Sequence, residues 1–119
     1  MFTWENKNYP FDIMDADTMQ VFNKAEKEFW GALKDYESKN AKDGKIDAEG
    51  VRAECRMIDT FFENVFGSGK AKEMFRSRFS LSERTKAVKK LYNLKKSQME
   101  EHNSRVAELG LLISSGGED

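Results

Sequence analysis

Residues 47–75, DAEGVRAECRMIDTFFENVFGSGKAKEMF, contain the apolar pattern that decides the fold of this chain. In the first two thirds of the stretch, apolar side chains recur every three or four residues, which places them on one face of a helix. We therefore predict a helix over residues 48–66. Gly67 and Gly69 break the pattern, and because glycine has no Cβ, Gly67 can end the helix in a left-handed conformation. The predicted apolar face consists of Val51, Cys55, Ile58, Phe61, Phe62 and Val65.

A shorter helix over residues 69–76 would turn the chain back, so that Met74 and Phe75 rejoin the same apolar cluster. The aromatic residues of this stretch need a core or a subunit contact to cover them. A second apolar stripe, upstream of residue 40, would supply the opposite side of that core. The residues that we expect to define the fold are Phe22, Phe29, Leu33, Ile58, Phe61, Phe62, Val65, Phe66, Gly67, Gly69 and Phe75.

The flanking sequence predicts further helices and one hairpin. Apolar residues at helical spacing predict helices over 17–38 and 81–109. Residues 1–14 read as a small β-hairpin, and residues 111–119 as a flexible tail that follows a stop at Gly110. The sequence thus predicts one mainly α-helical domain, residues 1–110, with three to four helices, a small N-terminal β-hairpin and a long basic C-terminal helix.

Local signals refine these boundaries. Two apolar arms, residues 2–4 and 9–13, would flank a turn at residues 5–8, with Pro10 confining the second arm to a sheet edge. Asp15 and Asp47 are suited to cap the helices that follow them. Ser80 and Glu83 have the spacing of a capping box at the start of the last helix.

Length and composition favour a helical globular protein. The chain has 119 residues, of which 34% are charged and 12% aromatic, with a single proline. No apolar run approaches the roughly 20 residues that span a bilayer, so we expect a cytoplasmic protein without a membrane partner. The one cysteine, Cys55, lies on an apolar helix face, where a buried thiol is the expected state.

Charge is distributed unevenly along the chain. Residues 70–96 contain ten basic and two acidic side chains, whereas residues 97–119 contain one basic and five acidic. A basic cluster of this kind can bind phosphates, so a small nucleic-acid-binding regulator is one hypothesis. A solvated helix face or an acidic protein partner are the alternatives. The basic residues are Arg76, Arg78, Arg84, Lys86, Lys89, Lys90, Lys95 and Lys96.

The loop around Gly44 has some features of a calcium-binding EF-hand. If Gly44 takes the sixth loop position, the first, third and twelfth positions fall on Lys39, Ala41 and Gly50. Calcium needs oxygen ligands at these positions, including a bidentate carboxylate at the last. A turn followed by a helix cap therefore explains these residues, and we predict no metal site.

Residues 67–70, Gly-Ser-Gly-Lys, have some features of a phosphate-binding loop. The nucleotide-binding motif also needs a glycine at the position of Asn64 and a hydroxyl residue at that of Ala71. His102 is the only histidine and cannot bind zinc alone. Because no nucleophile and base can be combined from these residues, we expect no catalytic site, no cofactor and no enzyme.

The last predicted helix has a thin apolar stripe. Its seven positions are Val88, Leu91, Lys95, Met99, His102, Val106 and Leu109. Because two of them, Lys95 and His102, are polar, the helix should project, pair with another chain or fray beyond about Met99. An exposed amphipathic helix can bind a partner helix, although the same residues could instead pack on the first helix. The candidate partner-binding residues are Arg84, Lys86, Lys89, Lys90, Val88, Leu91, Met99, Leu111, Leu112 and Ile113.

One combination of residues resembles a known family. The run Phe61-Phe62-Glu63-Asn64-Val65-Phe66-Gly67, followed by Gly69 and Phe75, is similar to small tail assembly chaperones of tailed bacteriophages that infect Gram-positive bacteria. The opening Phe11-Asp12-Ile13 and Asp15-Ala16-Asp17-Thr18 is also similar, and the resemblance covers residues 9–76. It implies a non-enzymatic role in virion assembly, in which the protein binds the tape-measure protein, the tail-tube protein or both. We also expect the protein to form a homo-oligomer.

Overall fold

The fold is mainly α-helical with a small N-terminal hairpin, as the sequence predicts. The computed structural model describes residues 1–40 and 45–116. Its elements in chain order are β1 (Phe2–Trp4), β2 (Lys7–Tyr9), α1 (Ala16–Asn40), α2 (Ala48–Phe66), α3 (Lys70–Met74) and α4 (Leu81–Gly116). The predicted boundaries of α2 are confirmed, and the other helices differ from their predicted spans at one or both ends.

The hairpin is tighter than predicted. The turn is the two-residue pair Glu5-Asn6, both at positive φ (49° and 65°), and β2 is Lys7–Tyr9 rather than residues 9–13. Positive φ at both central residues matches the twist of the flanking strands, and asparagine tolerates this conformation well. Phe2 pairs with Tyr9, so Pro10 follows the strand instead of lying within it.

The helix ends follow local chemistry. Asp47 Oδ1 accepts a hydrogen bond of 2.8 Å from the backbone N–H of Gly50, which confirms the predicted cap of α2. Asp15 Oδ2 likewise accepts from the backbone N–H of Thr18 at 3.0 Å, at the start of α1. Gly67 ends α2 with φ +121°, and its N–H donates to the Glu63 carbonyl. Only glycine adopts this φ without strain.

The aromatic stretch forms the centre of the core. Phe61 and Phe62 are fully buried, and the hairpin covers them, with Phe2 stacked on Phe66 at a ring-centroid distance of 5.4 Å. The indole Nε1 of Trp4 donates a 3.0 Å hydrogen bond to the Met74 carbonyl, which attaches the hairpin to α3. The buried hydrophobic residues are Phe2, Trp4, Tyr9, Phe11, Ile13, Phe22, Ala25, Cys55, Ile58, Phe61, Phe62, Ala71, Met74, Phe75, Ala87 and Leu91.

The connection from α3 to α4 is held by two adjacent side chains of opposite charge. The Glu83 carboxylate accepts the backbone N–H groups of Arg76 and Ser77 at 3.1 and 3.2 Å. Arg84 donates to three carbonyls of the same connection and to Asp59 on α2. Ser80 Oγ accepts from the Glu83 N–H, so half of the predicted capping box forms while the Glu83 carboxylate binds the preceding loop instead.

Helix α4 is longer than predicted. It continues through Gly110 to Gly116, so residues 111–116 are helical rather than part of a flexible tail. A single glycine inside a helix costs only about 1 kcal/mol relative to alanine, which explains why Gly110 does not end this one. Residues 117–119 lie outside the described residues, as do Asp43 and Gly44 of the loop that was compared with an EF-hand.

Candidate polypeptide-binding surface on the last helix

Helix α4 leaves the body of the protein at Gln98. The Gln98 amide donates to the Phe11 carbonyl and accepts from the Ile13 N–H, both at 2.9 Å. Residues 99–115 are all exposed. Residues 99–116, which we call the projecting segment, extend about 27 Å at 1.5 Å per residue.

The projecting segment carries an apolar stripe. Met99, Val106, Leu109 and Ile113 recur at intervals of seven, three and four residues, which places them on one face of the helix. Their exposed fractions range from 42% for Met99 to 74% for Ile113. We call these four residues the distal stripe. Isolated exposed apolar residues are common, but an aligned set of four on a projecting helix is typical of a binding surface.

The distal stripe continues the face with which α4 packs on the body. Leu91, which is fully buried, and Leu109 are 18 residues apart, equal to five full helical turns. The same face thus contacts the body up to Gln98 and has no partner along the described projecting segment. This arrangement is the distinctive feature of the structure.

The candidate partner-binding residues fall into two groups. Met99, Leu111, Leu112 and Ile113 are exposed, whereas Leu91 is buried and Val88 packs against the core. Leu91 and Val88 therefore pack inside the protein, which was the alternative to partner binding. They pack against the core as a whole rather than against α1 alone.

Arg84 is not part of an exposed binding surface. Its side chain is 4% exposed, its Nε and Nη2 bind the two Asp59 oxygens at 2.7 and 3.2 Å, and its guanidinium lies 4.7 Å from the Phe75 ring centroid. The sequence contained a signal for this: Arg84 precedes Val88 by four residues, so it lies on the inward face of α4. Arginine is suited to such a position because its fork can pair with a carboxylate bidentately.

The remaining basic residues of α4 form an outward-facing row. Lys86, Lys89, Lys90 and Lys96 are exposed, and within the described residues none has a carboxylate within 4.0 Å. Lys95 instead lies over the Phe22 ring at 4.8 Å and is partly buried. The outward row is therefore shorter than the basic segment 70–96 suggested by the sequence.

The described residues do not assemble a group of three or more potential metal ligands, and Cys55 is buried. Burial raises the pKa of the Cys55 thiol, which disfavours the reactive thiolate. Tyr9 lines a surface depression of about 470 Å³ together with Lys70 and Glu73, and its buried hydroxyl has no hydrogen-bond partner among the described residues. Gly67–Lys70 connects two helices, α2 and α3, which is not the strand-to-helix setting of a nucleotide-binding loop.

None of the described helices combines the length and the apolar character required to cross a lipid bilayer. A family model described as a family of unknown function (DUF6673) matches residues 5–111, which is most of the chain. Searches of curated proteins and of solved structures found no match. The matched region includes the aromatic residues of α2, Gln98 and the first three residues of the distal stripe.

Proposed function

The chain belongs to the DUF6673 family of unknown function, and we propose that it is a phage tail-assembly chaperone or a related virion-assembly factor. In this proposal it acts in the host cytoplasm and binds the tape-measure protein, the tail-tube protein or both, without catalysis. The resemblance of residues 61–69 and of the opening segment to such chaperones motivates the proposal. The observation that carries it is the distal stripe on a helix that projects from an otherwise closed aromatic core.

The geometry is suited to holding another polypeptide. A chaperone of this kind needs apolar surface that covers a partner helix and later releases it, and it needs no reacting groups. The projecting segment offers about 27 Å of helix, enough to lie along five turns of a partner. An amphipathic helix binds such a partner through side chains at the positions of the distal stripe.

Co-expression with a tape-measure protein tests the proposal. We expect the wild-type chain to keep that protein in the soluble fraction and to be recovered with it in a pull-down. Met99→Glu with Leu109→Glu should abolish both effects, because two charges would interrupt the stripe. The matched control is Ser97→Glu with Ser104→Glu, which adds the same charge on the opposite face. Failure of the wild-type chain to bind either tail protein would refute the proposal.

Nucleic-acid binding is a second candidate function, favoured by the exposed row Lys86, Lys89, Lys90 and Lys96. Phosphate contacts made by such a row would weaken steeply as salt concentration rises. Lys89→Glu with Lys90→Glu should then abolish binding to DNA or RNA, whereas the Met99 and Leu109 variant should retain it. Absence of any mobility shift at low salt would exclude this function.

A further inference from the structure

We propose that two copies of this chain pair through their projecting segments, antiparallel and related by a two-fold axis. In this dimer Met99 of one copy lies opposite Gly116 of the other, so that each projecting segment is paired over its whole length. The second copy thus occupies the face of α4 that the body of the first copy leaves uncovered beyond Gln98. The pairing is a property of the purified protein and does not depend on the proposed chaperone function. A tail-protein helix would bind the same distal stripe, so in that proposal it would displace the second copy.

The chain exposes more surface than a compact monomer of its size, which indicates that a partner covers part of it. Its accessible surface is 8388 Å², whereas a compact monomer of this mass should expose about 6,600 Å². Its radius of gyration is 18.6 Å, against about 13.5 Å for a compact chain of this length. The excess surface of about 1,800 Å² is more than the roughly 800 Å² that each partner contributes to a standard interface.

The stability of an unpaired helix points the same way. Most helical stability in proteins comes from packing of an amphipathic face, and residues 99–115 are exposed within the single chain. The projecting segment also contains Gly110, which lowers its intrinsic helicity further. A partner along the distal stripe would supply the packing that the body supplies to the first half of α4.

The ends of the projecting segment determine the register. When Met99 and Gly116 of the two copies are opposed, Val106 lies opposite Leu109, and His102 lies opposite Ile113. This alternation of seam positions is the usual layer arrangement of antiparallel helix pairs. The apolar residues of each copy therefore meet those of the other near the centre of the pair.

The same register brings opposite charges together. Arg105 and Glu108 lie on one flank of the stripe, and in an antiparallel pair this flank faces the same flank of the second copy. Arg105 of one copy is then about two residues, or 3 Å, along the axis from Glu108 of the other. A long arginine side chain can span this offset, so the dimer contains two symmetric ion pairs. A parallel pair would instead place this flank against the opposite flank of the second copy, so Arg105 would not face Glu108.

Molar mass in solution tests the pairing. By sedimentation equilibrium we expect the wild-type chain to reach twice 13.7 kDa as its concentration rises, and to remain dimeric in 0.5 M salt. Val106→Glu should leave a monomer, because each introduced carboxylate would be buried at the seam. Val106 is 53% exposed within one chain, so circular dichroism and thermal unfolding should show an intact body.

Leu111→Glu is the matched control. Leu111 is 71% exposed and lies on the face opposite the distal stripe, so this variant should dimerise like the wild type. A wild-type chain that stays monomeric at millimolar concentration would overturn the proposal. A Val106→Glu variant that remains dimeric, or a Leu111→Glu variant that does not dimerise, would also overturn it.

Disulfide trapping tests the register and needs no tail protein. Cys55 is buried, so it does not interfere with thiols introduced on the surface. In the antiparallel dimer, a mixture of His102→Cys and Ile113→Cys should cross-link, whereas neither variant alone should do so. Cross-linking of each variant alone, without a mixed product, would show parallel pairing and refute the inference.

Discussion

Replacing Asp59 by alanine removes the carboxylate that faces the buried guanidinium of Arg84. The Arg84 side chain is 4% exposed and the Asp59 side chain 28% exposed. Three carbonyls, those of Ser77, Arg78 and Ser80, would still accept from Arg84, but its charge would have no counter-ion. Removing one partner of a buried ion pair costs about 3–5 kcal/mol. Because water can reach the partly exposed Asp59 site, we expect a loss of about 2–3 kcal/mol.

Replacing Arg84 by methionine should cost more. It removes five hydrogen bonds at once and leaves three loop carbonyls and the Asp59 carboxylate to be satisfied by water. We expect the free energy of unfolding to fall by about 3–5 kcal/mol. In the double variant the two losses should not add, since each single change removes the same ion pair, and a coupling energy of at least about 1 kcal/mol is expected.

Urea unfolding, followed by circular dichroism, measures these losses. With an m-value of about 1.5 kcal/mol/M, a loss of 3 kcal/mol lowers the midpoint by roughly 2 M. Arg56→Met, a change at an exposed arginine on α2, the helix that carries Asp59, is the matched control and should shift the midpoint by less than about 0.5 M. If Asp59→Ala lowered stability by less than about 0.5 kcal/mol, the reasoning about this ion pair would be refuted.

Four further predictions concern single positions. Gly67→Ala should destabilise the protein by about 1–3 kcal/mol, because Gly67 has φ +121°. Gly31→Ala should stabilise it by about 0.5–1 kcal/mol, because Gly31 lies inside α1 and an added Cβ meets no heavy atom within 4 Å. Thermal unfolding would measure both changes, and a Gly67→Ala protein as stable as the wild type would contradict the first prediction. Burial and a hydrogen bond to the Glu26 carboxylate raise the pKa of Tyr92 above its ordinary value of 10.0. The contribution of Tyr92 to stability is therefore complete below pH 10 and is lost as the pH rises above 10. The melting temperature should therefore fall as pH rises from 10 to about 12, and less steeply for Tyr92→Phe; equal slopes would exclude Tyr92 as the cause. The Cys55 thiol should react with a thiol reagent only as fast as the protein unfolds, and rapid labelling in native buffer would contradict its burial.

The sequence predicts the helical body because dense apolar periodicity and local capping agree there. In α2, the Asp47 cap, the aromatic face and Gly67 all specify the same 19-residue helix. The turn of the hairpin was harder to predict, because it depends on positive φ at Glu5 and Asn6. The pattern of apolar and polar residues alone does not distinguish a two-residue turn from a longer one.

The surface of α4 was only partly predictable. The spacing of Arg84 from Val88 indicates that it lies on the inward face of α4, but the sequence pattern does not indicate that Asp59, 25 residues away, is its partner. Gln98 binds the backbone of residues 11 and 13, an interaction without any periodic signal. Met99 was identified from its spacing, and Ile113 as part of the apolar run Leu111–Ile113. That Ile113 continues the stripe could not be predicted, because Gly110 was expected to end the helix.

The polar attachments at the two ends of the packed half of α4 have a mechanical consequence. Glu83 and Gln98 attach the helix to the body at points about 22 Å apart. The projecting segment extends about 27 Å beyond Gln98. A 10° tilt about Gln98 would displace the free tip by about 5 Å. Two attachment points that far apart resist such tilting. The projecting segment therefore has a defined direction relative to the body before a partner binds.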